Sequence, residues 1–198
     1  MSWQNTVIPN YFDPDEYRYC DQKEPYLLFL ARVGDAKGVD VAIQVAEHTG
    51  APLHIYGQGM NEFREAWEKE HGPTKNVKWL GYADVETRRE AFAKARALIL
   101  PGKYLEPFGG TQVQALLSGT PLITSNWGAY AEVNDQDVGF RCNTFREFCE
   151  AVEGVKEIDP ATCRKRGERY TLEAIAPQYE KYFRGLMDQR TGAGWYAA

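Results

Sequence analysis

Histidine, cysteine and methionine are scarce in this chain of 198 residues, which has three His, four Cys and three Met. His48, His54 and His71 show no ligand spacing, and Cys20, Cys142, Cys149 and Cys163 form no Cys-x-x-Cys pair. A metal centre, a redox motif and a disulfide framework are therefore disfavoured, and free thiols in a reducing compartment are expected. An excess of positive charge is also lacking. A net charge of −5 and a pI near 5.3 give no broad basic field, which argues against nucleic acid or an anionic membrane as principal partner. Long apolar runs are absent too: Tyr26 to Ala31 and Ala97 to Pro101 are strand-sized, far short of the roughly 20 residues needed to cross a bilayer. The first residues show no basic region followed by an apolar one, so no secretory signal is read and a cytoplasmic location is expected. The pair Asp135 and Asp137 has metal-binding spacing, but it lies in a polar stretch between Val133 and Gly139 and reads as a solvated turn. No metal is expected.

What is present is alternation. Tyr26 to Ala31, Pro52 to Tyr56, Val77 to Leu80, Ala97 to Leu100 and Pro121 to Thr124 read as strands. Between them lie helical patterns. One starts near Lys37 with Val39, Ala42, Ile43 and Ala46 on one face; a charged one covers roughly Asn61 to Glu70; another follows the N-cap candidate Asp84 and carries Phe92 and Ala95 inward. Such alternation predicts a Rossmann-like α/β three-layer sandwich with a parallel sheet of about six strands. The last third reads as a helical extension. Phe145, Phe148, Cys149 and Val152 share a face, Asp159-Pro160 reads as a cap and first turn, and a final helix runs from about Thr171 to Met187 with Pro177 expected to kink it. Residues 188–198 are read as a tail, of which 191–198 is expected to be mobile unless Trp195 and Tyr196 dock.

The richest segment is Glu106-Pro107-Phe108-Gly109-Gly110-Thr111, which leads into the helical spacing of Val113, Leu116 and Leu117. Pro and two glycines mark a turn into a helix start, where exposed N–H groups and the helix dipole can hold an anion. Glu106, just before that turn, would repel a phosphate, so its expected partner is a hydrogen-bond donor such as a sugar hydroxyl. Phosphate beside hydroxyls suggests an activated sugar. The strands would carry Arg32, Gly57, Gly81, Glu106 and Ser125 on the loops at their carboxyl ends, where ligands of parallel sheets bind.

This segment resembles the donor-site motif of the retaining glycosyltransferases of family 4, the GT-B enzymes also called glycosyltransferase group 1. The resemblance runs in the family's order through Val7 to Asp13, Leu30 to Val33, Lys37 to Asp40, Ile55 to Gly59, Trp79 to Tyr82, Gly119 to Ser125, Gly128 to Val133 and Gly139-Phe140. It covers roughly residues 5 to 187 and implies two Rossmann-like domains with the active site between them. The present length suits one, so the N-terminal acceptor-binding domain is expected to be missing. By this resemblance residues 1–24 are the interdomain linker and 25–187 the nucleotide-sugar donor-binding domain. An incomplete piece, a split gene and a stand-alone module remain open. The final helix would cross to the absent domain, leaving an apolar face open to self-association.

The resemblance also implies roles. Arg32 and Lys37 would bind the donor diphosphate, with the backbone N–H groups of Phe108, Gly109, Gly110 and Thr111. Glu106, with Phe108 and Gly109, would hold the transferred sugar, and Gly81, Tyr82 and Ala83 would meet the base. Arg32, Lys37 and Glu106 are thus the expected catalytic set, with a nucleoside diphosphate sugar as substrate and no cofactor. One departure is evident: the family's second Glu, which grips both ribose hydroxyls, is Gln114 here. Gln offers a single carbonyl acceptor, which puts nucleotide affinity or preference in question; of the two readings, a tolerated change and a domain that has lost catalysis, tolerance is favoured. Two alternatives stand beside transfer: a non-catalytic nucleotide-binding or assembly module, and an NAD-binding domain based on Gly57-Gln58-Gly59, although Glu62 occupies the position of that fingerprint's third glycine.

Overall fold

The apolar runs fold as parallel strands, and the computed structural model describes residues 6–192, with side chains to 188. Strands β1 (Leu27–Leu30), β2 (Leu53–Tyr56), β3 (Val77–Trp79), β4 (Ala97–Leu100), β5 (Leu122–Ser125) and β6 (Gly139–Cys142) form one six-stranded sheet in the order β3-β2-β1-β4-β5-β6. Every pairing is parallel; Leu27 of β1 stands opposite both Leu53 and Ala97. Parallel strands need crossovers, and helices α1 (Val39–Thr49), α2 (Met60–His71), α3 (Val85–Lys94), α4 (Gly110–Leu117) and α5 (Ala129–Val133) supply them on both faces. Helices α6 (Phe145–Gly154), α7 (Pro160–Gly167) and α8 (Leu172–Gly192) follow. The fold is the expected three-layer Rossmann-like α/β sandwich with a helical C-terminal end.

Burial explains why the strands are nearly continuous apolar runs: Leu27, Leu28, Phe29, Leu98, Ile99 and Ile123 are fully covered on both faces. Each such side chain contributes about 1.5–3 kcal/mol relative to exposure. Local capping agrees with the sequence. Asp84 accepts from the Thr87 N–H, Asp159 from Ala161 and Thr162, and Thr144 forms a capping box with Glu147.

Several elements depart from the sequence reading. Strand β6 and helix α5 were not recognisable as such, because Phe140 and Arg141 are both exposed on the edge strand and α5 is only five residues long. Lys37 does not open α1. It ends a separate 3₁₀ turn, Asp35–Lys37, and Gly38 in the left-handed region (φ 72°) separates that turn from the helix. Asp135 and Asp137 are not merely solvated, since both carboxylates accept from Arg166, at 2.7 and 3.1 Å. Pro177 lies inside α8. Trp195, Tyr196 and most of the expected tail lie outside the described residues.

The segment before β1 packs on the domain. Phe12 stacks on Phe108 with centroids 6.1 Å apart and bridges to Thr171. On α8, Ile175 is buried whereas Leu172, Phe183 and Met187 are exposed. Among the described residues no helix is long and apolar enough to cross a membrane.

Candidate functional site

Strand order reverses between β1 and β4, and the crevice outside the carboxyl ends of strands at such a switch point is where open α/β sheets bind ligands. The loop after β1 carries Arg32 and Lys37; the loop after β4 carries Glu106. Backbone contacts hold the two loops together. The Lys103 N–H donates to the Ala36 carbonyl at 2.9 Å, and Gly38 approaches Pro101 so closely that a Cβ would lie 1.9 Å from its carbonyl oxygen. On the other flank the Ala129 N–H donates to the Glu106 carbonyl at 2.9 Å.

These constraints place Lys37 Nζ 2.7 Å from Glu106 Oε2. Lys37 also donates to the Tyr104 hydroxyl and lies 4.5 Å from its ring centroid, and that hydroxyl donates to Glu106 Oε2. Tyr130, almost fully buried, donates to the same oxygen at 3.4 Å. Burial acts to raise the Glu106 pKa, but hydrogen bonds from Lys37 and Tyr104 outweigh it and hold the carboxyl below its usual range. Burial likewise acts to lower the Lys37 pKa, and the bonds to Glu106 and Tyr104 reverse this and raise it. Burial, reinforced by the Glu106 charge, keeps the Tyr130 phenol protonated. The pair is thus ionised across the neutral range. Neutralised by Lys37, Glu106 repels a nearby phosphate less than its lone charge would.

Beside this pair α4 begins. Its N-cap, Gly109, sits in the left-handed region (φ 71°) and no side chain caps the helix; the Gln112 N–H donates to the Gly109 carbonyl at 2.9 Å, and the N–H groups of Gly110 and Thr111 before it are available to an anion. Phe108 is pinned by Phe12 and, edge-on, by Tyr170 with centroids 5.9 Å apart, which fixes the turn just before those amides.

Arg32 lies apart from the Lys37–Glu106 cluster in hydrogen bonding: it is exposed and lines a cavity of about 240 Å³ with Gly57, Gln58, Tyr82 and Ala83. The diphosphate candidate Arg32 and two base-site candidates, Tyr82 and Ala83, therefore share one cavity; Gly81 precedes them, its N–H on the Met60 sulfur at 3.1 Å. Gln114 lines a second cavity, of about 160 Å³, and its Nε2 donates to the Tyr17 hydroxyl at 3.1 Å. Gly57-Gln58-Gly59 follows β2, one strand removed from the position the dinucleotide fingerprint requires.

Sequence reasoning missed Tyr104, Tyr130 and Tyr17. Tyr104 lies two residues before Glu106 and Tyr130 within the quoted Gly128 to Val133 stretch, so their proximity to the motif was the available signal. Tyr17 carried none, because only the fold brings residues 97 apart into contact.

A family model described as glycosyl transferases group 1 matches residues 19–168. The glycogen synthase of Mycobacterium tuberculosis is 29% identical over 178 aligned residues, covering 81% of this chain and 42% of that protein. AviGT4, a glycosyltransferase involved in avilamycin A biosynthesis, superposes with a TM-score of 0.82 at 25% identity, over 93% of this chain and 58% of its own. HepE of Anabaena, solved with UDP-glucose, superposes with a TM-score of 0.75 at 17% identity over 91% of this chain and 57% of its own, a likeness of fold. The chain spans less than two thirds of each of these proteins.

Proposed function

The chain belongs to the glycosyl transferases of group 1, and from that premise we propose that it forms the nucleotide-sugar donor-binding half of a retaining glycosyltransferase, inactive without an N-terminal acceptor domain. The observation that carries the reading is the contact of Lys37 with Glu106 beside the uncapped start of α4. One cation, one carboxylate and a row of N–H donors meet at the strand-order switch point, a combination suited to a diphosphate next to a sugar.

In this reading Arg32, Lys37 and the amides of Phe108 to Thr111 stabilise the diphosphate as the bond from sugar to phosphate breaks and charge grows on the departing oxygen. Each charge-assisted bond contributes about 1.5–3 kcal/mol. Glu106 accepts protons from the sugar's hydroxyls while Tyr104 and Tyr130 hold its carboxylate in place. The acceptor oxygen attacks from the face the phosphate leaves, and the leaving phosphate takes its proton, so no second carboxylate in this half is required. Gln114 meets the ribose and Gly81, Tyr82 and Ala83 the base. Neither a metal nor a cofactor takes part, and the cytoplasm is the expected compartment.

Titration of UDP, GDP and ADP by calorimetry tests the reading, with Arg32→Ala and Lys37→Ala as controls. At least one nucleotide should bind, and each substitution should weaken it tenfold or more; equal binding by all three proteins would overturn the assignment. A second reading, a nucleotide-binding module without catalysis, draws on the engagement of Gln114 with Tyr17. Supplying an acceptor domain and assaying sugar transfer separates the two: transfer supports the first, nucleotide binding without transfer the second.

A further inference from the structure

Arg88, on α3, lines both cavities described above: the one holding Arg32, Tyr82 and Ala83, and the one holding Tyr17 and Gln114. A nucleotide joining a base, a ribose and a diphosphate across those residues must pass this side chain. The other cations around α3 are engaged. Arg18 bonds Glu86 and Glu90, each at 2.7 Å; Lys94 bonds Glu90 at 2.7 Å; Arg89 donates to the Glu16 carbonyl at 2.6 Å. The half-buried Arg88 guanidinium makes no side-chain hydrogen bond or ion pair among the described residues. Its electrostatic neighbours are the Tyr17 hydroxyl and the Asp84 carboxylate, and Asp84 is occupied by the Thr87 N–H at 2.8 Å. Five N–H donors on a rigid fork are thus left without a protein acceptor among the described residues, on a side chain that lines both cavities.

Gln114 supplies the other half of the argument. Its Nε2 is committed to Tyr17, which leaves Oε1 as one acceptor, whereas the donor-binding reading asks this position to serve two adjacent ribose hydroxyls. A hydroxyl can be held by its oxygen as well as by its proton. Resting on the donor-binding reading above, we propose that Arg88 is a ribose-binding residue that donates to a ribose hydroxyl oxygen while Gln114 Oε1 accepts from the neighbouring hydroxyl, so that the pair does jointly what a single carboxylate would do alone.

The test uses whichever of UDP, GDP and ADP the unmodified chain binds most tightly, its 2′,3′-dideoxy analogue and inorganic pyrophosphate, titrated against the unmodified chain and Arg88→Ala. Alanine is the better helix former, so α3 should be retained, and an unchanged urea midpoint checks this. The expected result is a loss of about tenfold or more for the nucleoside diphosphate, with no loss for the dideoxy analogue or for pyrophosphate. In the Arg88→Ala background Gln114→Glu should restore affinity. Equal binding of the nucleoside diphosphate by both proteins overturns the proposal; a loss that extends to pyrophosphate makes Arg88 a phosphate ligand, and one that persists with the dideoxy analogue makes it a base ligand, each overturning the ribose role. If the unmodified chain binds no nucleoside diphosphate, the donor-binding reading itself falls, an outcome distinct from these.

Discussion

Lys37 Nζ and Glu106 Oε2 meet at 2.7 Å across 69 residues of sequence, with side chains only 28% and 12% exposed. Truncating one partner should cost more than truncating both, because a lone charge would be left in a partly dry site. Lys37→Met is expected to lower stability by about 1–3 kcal/mol, and adding Glu106→Gln should return part of that loss. Urea denaturation of the single and double variants measures the cycle; strictly additive costs would mean that the two groups do not interact.

The same pair predicts an acid limb. The folded-state pKa of Glu106 is lowered by Lys37 and Tyr104 against the opposing effect of burial, so its stabilising contribution is complete above the ordinary carboxylate value of 4.5 and is lost as pH falls through the depressed one. The Lys37 pKa is raised, so its contribution is complete below 10.5 and lost as pH climbs through the higher folded value. Glu106→Gln should therefore be destabilising at neutral pH, by an amount that shrinks as pH falls below 4.5. A gap in urea midpoint between variant and unmodified chain that stays constant from neutral to acid would contradict this.

Gly38 fixes the distance between the two loops. Its φ of 72° disfavours any side chain, and an added Cβ would lie 1.9 Å from the Pro101 carbonyl oxygen, a backbone atom that cannot swing aside. Gly38→Ala should cost about 1–2 kcal/mol from the dihedral alone and about 1–3 more from overlap. It should also push the Lys37 turn away from Glu106 and so weaken nucleotide binding. Calorimetry with denaturation on the same sample checks both effects; unaltered affinity would show that the spacing of the loops is not what aligns the site.

The alternation of apolar runs with helical periods made the layered parallel sheet legible in the sequence, since runs such as Leu27–Leu30 and Ala97–Leu100 are strand-short and apolar throughout, as strands covered on both faces must be. Edge strand β6 was not legible, because Phe140 and Arg141 face outward and Gly139 is packed against the Leu122 carbonyl. At the site, residues inside one motif could be read together, whereas contacts set by topology could not. Nothing local pairs Tyr17 with Gln114, or places Arg88 in both the cavity of Tyr82 and Ala83 and the cavity of Gln114. The direct bond between Lys37 and Glu106 was likewise invisible: the resemblance assigned the two to different parts of a ligand, and the contacts that hold their loops together, the Lys103 N–H on the Ala36 carbonyl and Gly38 against Pro101, are set by the fold.

Lys23 ties the segment before β1 to the domain, and its chemistry gives a pH dependence of opposite sense. Its amine donates to the Ala93 carbonyl at 2.7 Å, the Ser118 carbonyl at 3.1 Å and Thr120 Oγ1 at 3.0 Å, with no carboxylate among these partners. Burial pushes its pKa down to about 8 from 10.5. Between those values the unfolded chain binds more protons than the folded one, so the contribution of Lys23 to stability rises with pH across that window and is flat below it. Lys23→Met removes this dependence. The urea midpoint of the unmodified chain, taken relative to Lys23→Met so that other groups cancel, should climb between about pH 8 and pH 10. A difference that falls or stays level there would mean that the carbonyl oxygens at the ends of α3 and α4 hold the ammonium charged as firmly as water does.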